Sequence, residues 1–129
     1  MIKKYLLLAT MCLGHSTFGQ KAIFRIPDTL LNKDYDYLFE RIEESENKHT
    51  KQSLYLKSFL SKAKSEKNSE EILNGYKNYA YHSPENLKLV YADSMIYIAK
   101  KSMNNALLGS AYLSKGIIYY AQKKHNQAL

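Results

Sequence analysis

Residues 111–129 read AYLSKGIIYYAQKKHNQAL, an apolar helical pattern with a glycine, Gly116, near its centre. Glycine weakens a helix interior by about 1 kcal/mol relative to alanine. It is best tolerated where a neighbouring backbone comes too close for a side chain. The same spacing recurs upstream. At a shift of 36 residues, Ala63 falls on Ala99, Ile72 on Leu108, Tyr76 on Tyr112, Ala80 on Gly116 and Ala92 on Ala128. Small residues land on small ones and aromatics on aromatics, as an internal repeat requires.

Working outward, the rest of the chain reads as helices. Proline occurs twice and glycine five times, too few breakers for many short strands. Tyr35, Leu38, Phe39 and Ile42 make one apolar stripe on a helix over 34–46. Leu56, Phe59, Leu60 and Ala63 make another over 51–66. Ser69 reads as the N-cap of a third helix, with Glu70 and Glu71 in its first turn and Ile72, Leu73, Tyr76, Tyr79 and Ala80 as its stripe. Ser83 reads as the N-cap of a fourth, Pro84 as its first residue and Glu85 as a first-turn acid, and this helix carries Leu87, Val90, Tyr91, Met95, Ile96 and Ala99. A fifth covers 106–122, and a sixth is expected to begin near His125. Short connections force sequential helices antiparallel, so the fold class is all-α, a series of helix hairpins. Residues 20–33, with Pro27, read as an extended lead-in.

The first nineteen residues are a separate object. Lys3 and Lys4 precede an apolar run from Tyr5 to Leu13, and small or polar residues follow to Gly19. That pattern is a secretory signal, too short to span a bilayer. Cys12, the chain's single cysteine, lies inside it, so the remainder is a cysteine-free, most simply periplasmic, protein. Its removal lowers the formal charge of +7 by two. The positive charge is nearly all lysine, Arg25 and Arg41 being the two arginines, and it is spread along helix faces. A nucleic-acid surface calls for a concentrated, arginine-rich stripe, so nucleic acid is not expected as a partner.

Tyr112-x-x-Lys115-Gly116-x-x-Tyr119 followed by Ala128 resembles the tetratricopeptide pattern. Tyr76-x-x-Tyr79-Ala80 opens the preceding unit, and Ala92, Ile96 and Ala99 continue it. Lys115 stands where the family carries leucine, and Asn104 where a proline often closes a unit. The resemblance implies a short right-handed solenoid: a divergent first hairpin over 34–68, one repeat over 69–104 and an incomplete one over 105–129. It also implies close approach of Ala80 to Ala92 and of Gly116 to Ala128, with Tyr76, Ile96, Ala99, Tyr112 and Tyr119 as further packing residues of the repeat. In that family the first helix of each unit lines a concave groove for a protein or peptide segment. Carried onto this chain, the inward residues are Asn74, Lys77 and Tyr81, then Ser110, Leu113, Ser114, Ile117 and Tyr120. Core is the alternative reading of Leu113 and Ile117.

No motif for catalysis is present. His49, His82 and His125 have no second histidine or cysteine at metal-ligand spacing and read as turn or surface residues. No phosphate loop or nucleophile elbow occurs. Neither enzyme activity, metal nor cofactor is expected. The exported leader followed by units rich in Tyr, Lys and Asn also resembles the sensor segment of membrane-anchored regulators with an AraC-type helix-turn-helix. That likeness implies further repeats and a membrane anchor beyond Leu129, and self-association through an uncovered fifth helix. A free-standing exported scaffold, or an exported enzyme whose catalytic domain lies downstream, are the alternatives.

Overall fold

Asp34 fixes where the first helix starts. Its side chain accepts a hydrogen bond from the Tyr37 backbone N–H at 2.8 Å, satisfying one of the orphan donors of α1, Tyr35–Glu44, an arrangement typically worth about 1 kcal/mol. A computed structural model describes residues 23–128. Four more helices follow: α2 (His49–Ser65), α3 (Ser69–His82), α4 (Glu85–Ser102) and α5 (Asn105–Ala128). Among the described residues there is no strand. The leader over 1–19 and Cys12 lie outside the described residues. The sequence-based expectation of a sixth helix is corrected. No breaker falls within the polar run Lys123-Lys124-His125-Asn126, so α5 simply continues through it.

The 36-residue spacing is visible in the helix starts. α3 and α5 begin at Ser69 and Asn105, and α2 and α4 at His49 and Glu85, each pair 36 residues apart. The turns before α3 and α5 share one construction. Lys67 and Met103 both take the left-handed backbone region, φ 54°, which costs a non-glycine residue about 1–2 kcal/mol. Lys67 N–H donates to the Lys64 carbonyl and Asn68 N–H to the Ala63 carbonyl, the paired bonds of a Schellman stop. Met103 N–H likewise donates to the Lys100 carbonyl. The asparagine that follows then caps the next helix. Asn68 accepts from the Glu71 N–H, and Asn104 accepts from the Ala106 and Leu107 N–H groups. The N-cap of α3 is therefore Asn68, not Ser69. Pro84, not Ser83, caps α4.

Each helix packs on the next in sequence, and α3 also meets α5. One core cluster joins Leu38 and Ile42 of α1 to Leu56 and Phe59 of α2. Leu30 from the lead-in completes it, because residues 28–32 form a turn instead of running extended. The other unites Leu73 of α3, Met95, Ile96 and Ala99 of α4 and Ala111 of α5. Tyr76, Tyr79 and Tyr91 form a ring cluster beside it, Tyr79 lying 5.1 Å from Tyr91 between centroids. Ala80 and Ala92 are both buried. The apolar stripes are narrower than expected: Phe39, Leu87 and Val90 are exposed.

The glycine that matters is a different one. A Cβ added at Gly75 would lie 3.0 Å from Leu60 Cδ1 and 3.4 Å from the Leu60 Cα, so α3 crosses α2 on bare backbone there. A Cβ at Gly116 would meet nothing within 4 Å. The expected close approach at Gly116 is thus absent among the described residues, because the face of α5 that carries it packs on nothing. The side chain of Ala128 lies outside what is described. Tyr112 and Tyr119, expected as packing residues, are exposed.

Gly75→Val should lower stability by about 1–3 kcal/mol through overpacking at the α2–α3 crossing. Gly116→Ala should raise it by up to about 1 kcal/mol, since a helical alanine there meets no obstacle. Denaturant midpoints measure both. A destabilised Gly116→Ala or a neutral Gly75→Val reverses the assignment.

Candidate functional site

The odd-numbered helices wall two neighbouring hollows. Between α1 and α3 lies a cavity of about 420 Å³. Asp36, Phe39 and Glu43 of α1 form one wall, Glu71, Asn74 and Lys77 of α3 the other, and Phe59 of α2 lies beneath. Between α3 and α5 lies a second cavity of about 250 Å³, with Ser114, Ile117 and Ile118 on the α5 side and Met95 of α4 below. Lys77 and Tyr81 line both. They therefore stand on the ridge of a single groove that runs from α1 to α5. Tyr81 is 73% exposed on that ridge.

Of the residues proposed from sequence, the structure brings Asn74, Lys77 and Tyr81 to the first hollow, and Lys77, Tyr81, Ser114 and Ile117 to the second. It does not bring Ser110, Leu113 or Tyr120 to either. All three are exposed elsewhere on α5. The α1 wall and Phe59 escaped the sequence reading, because the first hairpin departs from the repeat. Its one available signal was Phe39, an apolar residue on the stripe that the core does not cover.

The walls are held by polar ties. Tyr35 donates from its hydroxyl to Glu66 Oε2 at 2.5 Å, and Lys62 pairs with the same carboxylate at 2.8 Å. The entry of α1 is thereby fixed to the exit of α2. Hydrogen bonds from Lys62 and then Tyr35 hold the Glu66 carboxyl below its usual range. Burial, then the bond to Glu66, pushes the Tyr35 hydroxyl well above its usual range. The ring of Tyr35 packs on Phe59, centroids 5.0 Å apart.

His82 corrects another expectation. Its side chain is only 4% exposed, since the last turn of α3 folds it back between α1 and α2. Its Nε2 lies 3.0 Å from Glu43 Oε1 and its Nδ1 3.1 Å from Gln52 Nε2. Gln52 Nε2 also donates to the Ile42 carbonyl at 3.2 Å. A neutral imidazole with its proton on Nε2 satisfies every bond: it donates to Glu43 and accepts from Gln52. The partners lie 30 and 39 residues away in sequence, beyond any local motif. On the other side of the groove, Lys115 pairs with Asp93 of α4 at 2.6 Å, and Gln122 donates to the Glu85 carbonyl at 2.7 Å.

Among the described residues no group of three His, Cys, Asp or Glu side chains converges as a metal site. No described helix is long and apolar enough to cross a membrane. No family model, curated protein or solved structure matches the chain.

Burial, then Tyr91 and Tyr76, push the Tyr79 hydroxyl up to about 12. A pKa raised on folding contributes stability that is present below the unfolded value, near 10, and is lost as pH climbs through the folded value. Tyrosinate absorbance should accordingly show a late step that Tyr79→Phe removes. That variant should also lose less stability between pH about 10 and 12. Ionisation of Tyr79 together with the exposed tyrosines would contradict the packing of this ring cluster.

Proposed function

We propose that the chain is a module that binds an extended protein or peptide segment along the groove walled by α1, α3 and α5. Its hairpins would stack as a tetratricopeptide-like solenoid. The observation that carries this reading is the ridge at Tyr81. A large aromatic side chain is left in water between two hollows whose floors are Phe59 and Met95. Exposed aromatics flanked by pockets are the usual anchors of recognition. The turn before α3 and the turn before α5 support the repeat, because a left-handed residue followed by a capping asparagine resets the chain after each hairpin. An exported location rests on the leader pattern. The sensor role in a membrane-anchored regulator rests on the sequence resemblance.

A second reading is carried by α5 itself, where Leu113, Ile117, Tyr119 and Tyr120 are exposed along one helix. It is self-association through that surface. Sedimentation at increasing concentration separates the two readings, since a monomer at all concentrations removes this one.

Selection of random peptides on the intact chain, followed by fluorescence anisotropy, tests the groove. Tyr81→Ala should weaken the selected peptides about tenfold, and Tyr97→Ala, exposed on α4 away from the groove, should leave them unchanged. No enrichment, or equal loss in both variants, contradicts the groove.

A further inference from the structure

The two hollows differ in chemistry. The chain as a whole is strongly basic, +7, yet the α1–α3 hollow presents three carboxylates, Asp36, Glu43 and Glu71, against one ammonium, Lys77. The sign is therefore set by which residues the helices turn inward, not by composition. Glu43 is engaged by His82 and Glu71 accepts from Asn74. Asp36 and Lys77 make no ion pair among the described residues. Phe39, Phe59 and Tyr81 give the same hollow aromatic surface. Aromatic faces beside carboxylates suit a cationic side chain, which gains from both the charge and the ring quadrupole.

The α3–α5 hollow is of another kind. Met95, Ala80 and Ile118 form its base, with Ile117 at its edge. The acid in its lining, Glu85, is paired with Lys88 at 2.9 Å. That surface suits an aliphatic side chain. On the α3 wall of the first hollow, Asn74 and Asn78 lie four residues apart and so share a face. The Asn78 side chain makes no hydrogen bond among the described residues. An amide placed so can bond the backbone of an extended segment.

Resting on the groove reading above, we infer that the occupant is a peptide segment with one Lys or Arg and one aliphatic residue, the cation in the α1–α3 hollow and the aliphatic side chain in the α3–α5 hollow. Tyr81 lies between them. The basic surface elsewhere does not prevent this, because charges beyond about 8–10 Å are largely screened at physiological salt. The carboxylates act at contact.

The test uses the intact chain and terminally blocked peptides of Gly and Ser. Each carries one Leu and one of Lys, norleucine or Glu, roughly three to five residues apart, enough to cross the ridge in extended form. By anisotropy, the Lys–Leu peptide should bind about tenfold more tightly than Glu–Leu, with norleucine–Leu between. Asp36→Asn and Glu71→Gln should each reduce the ratio of Lys–Leu to norleucine–Leu affinity several-fold. Both substitutions keep the size of the side chain, and circular dichroism checks that the helices persist. Ile117→Asp should weaken all Leu-bearing peptides. Equal binding of the Lys and Glu peptides overturns this inference and leaves the groove reading standing. Binding of none of them, at any spacing, overturns the inference. Failure of the peptide selection as well overturns the groove reading with it.

Discussion

The close crossing of α3 over Leu60 of α2, made possible by the missing side chain at Gly75, is the constraint on which the rest depends. α1 and α2 share one core cluster, while α3, α4 and α5 share the other. The α2–α3 contact is where the two halves join. Tyr79 reaches across it to the first cluster, and the chain of bonds from Glu43 through His82 to Gln52 and the Ile42 carbonyl spans it as well. Only when α3 lies that close can α1 and α3 face one another over Phe59. The groove is a consequence of backbone proximity, with its polar ties setting the angle.

Much of the helical framework was legible in the sequence. Apolar spacing located five helices and most of the core, including Leu38, Ile42, Leu56, Phe59, Leu73, Met95 and Ala99. The helix ends were legible to within a residue or two wherever a capping residue stood nearby. The sixth helix was the main error. A polar run with good helix propensity looks like a connection until its hydrogen bonds are known, and α5 runs straight through it. Glycine choice was illegible for a deeper reason. A glycine permits close approach, but sequence does not say whether a neighbour takes advantage of it. Leu60 does so at Gly75, and nothing among the described residues does so at Gly116.

The site was half legible. Asn74, Lys77, Tyr81, Ser114 and Ile117 follow from the repeat register and line the hollows. The α1 wall does not follow from that register, because the first hairpin departs from it. The acidic character of the first hollow arises from side chains on α1 and α3 that are far apart in sequence, so composition pointed the other way. His82 was misplaced for the same reason: a lone histidine at a helix end looks solvated until the partners that bury it are found across the fold.

The crossing itself can be observed directly. In an isotope-labelled sample, the Gly75 α protons and the Leu60 δ methyl groups should give a strong nuclear Overhauser cross-peak, since Leu60 Cδ1 lies 3.0 Å from where a Gly75 Cβ would stand. A spectrum in which α2 and α3 keep their helical chemical shifts but show no Gly75–Leu60 cross-peak would contradict the joined hairpins and the groove built on them.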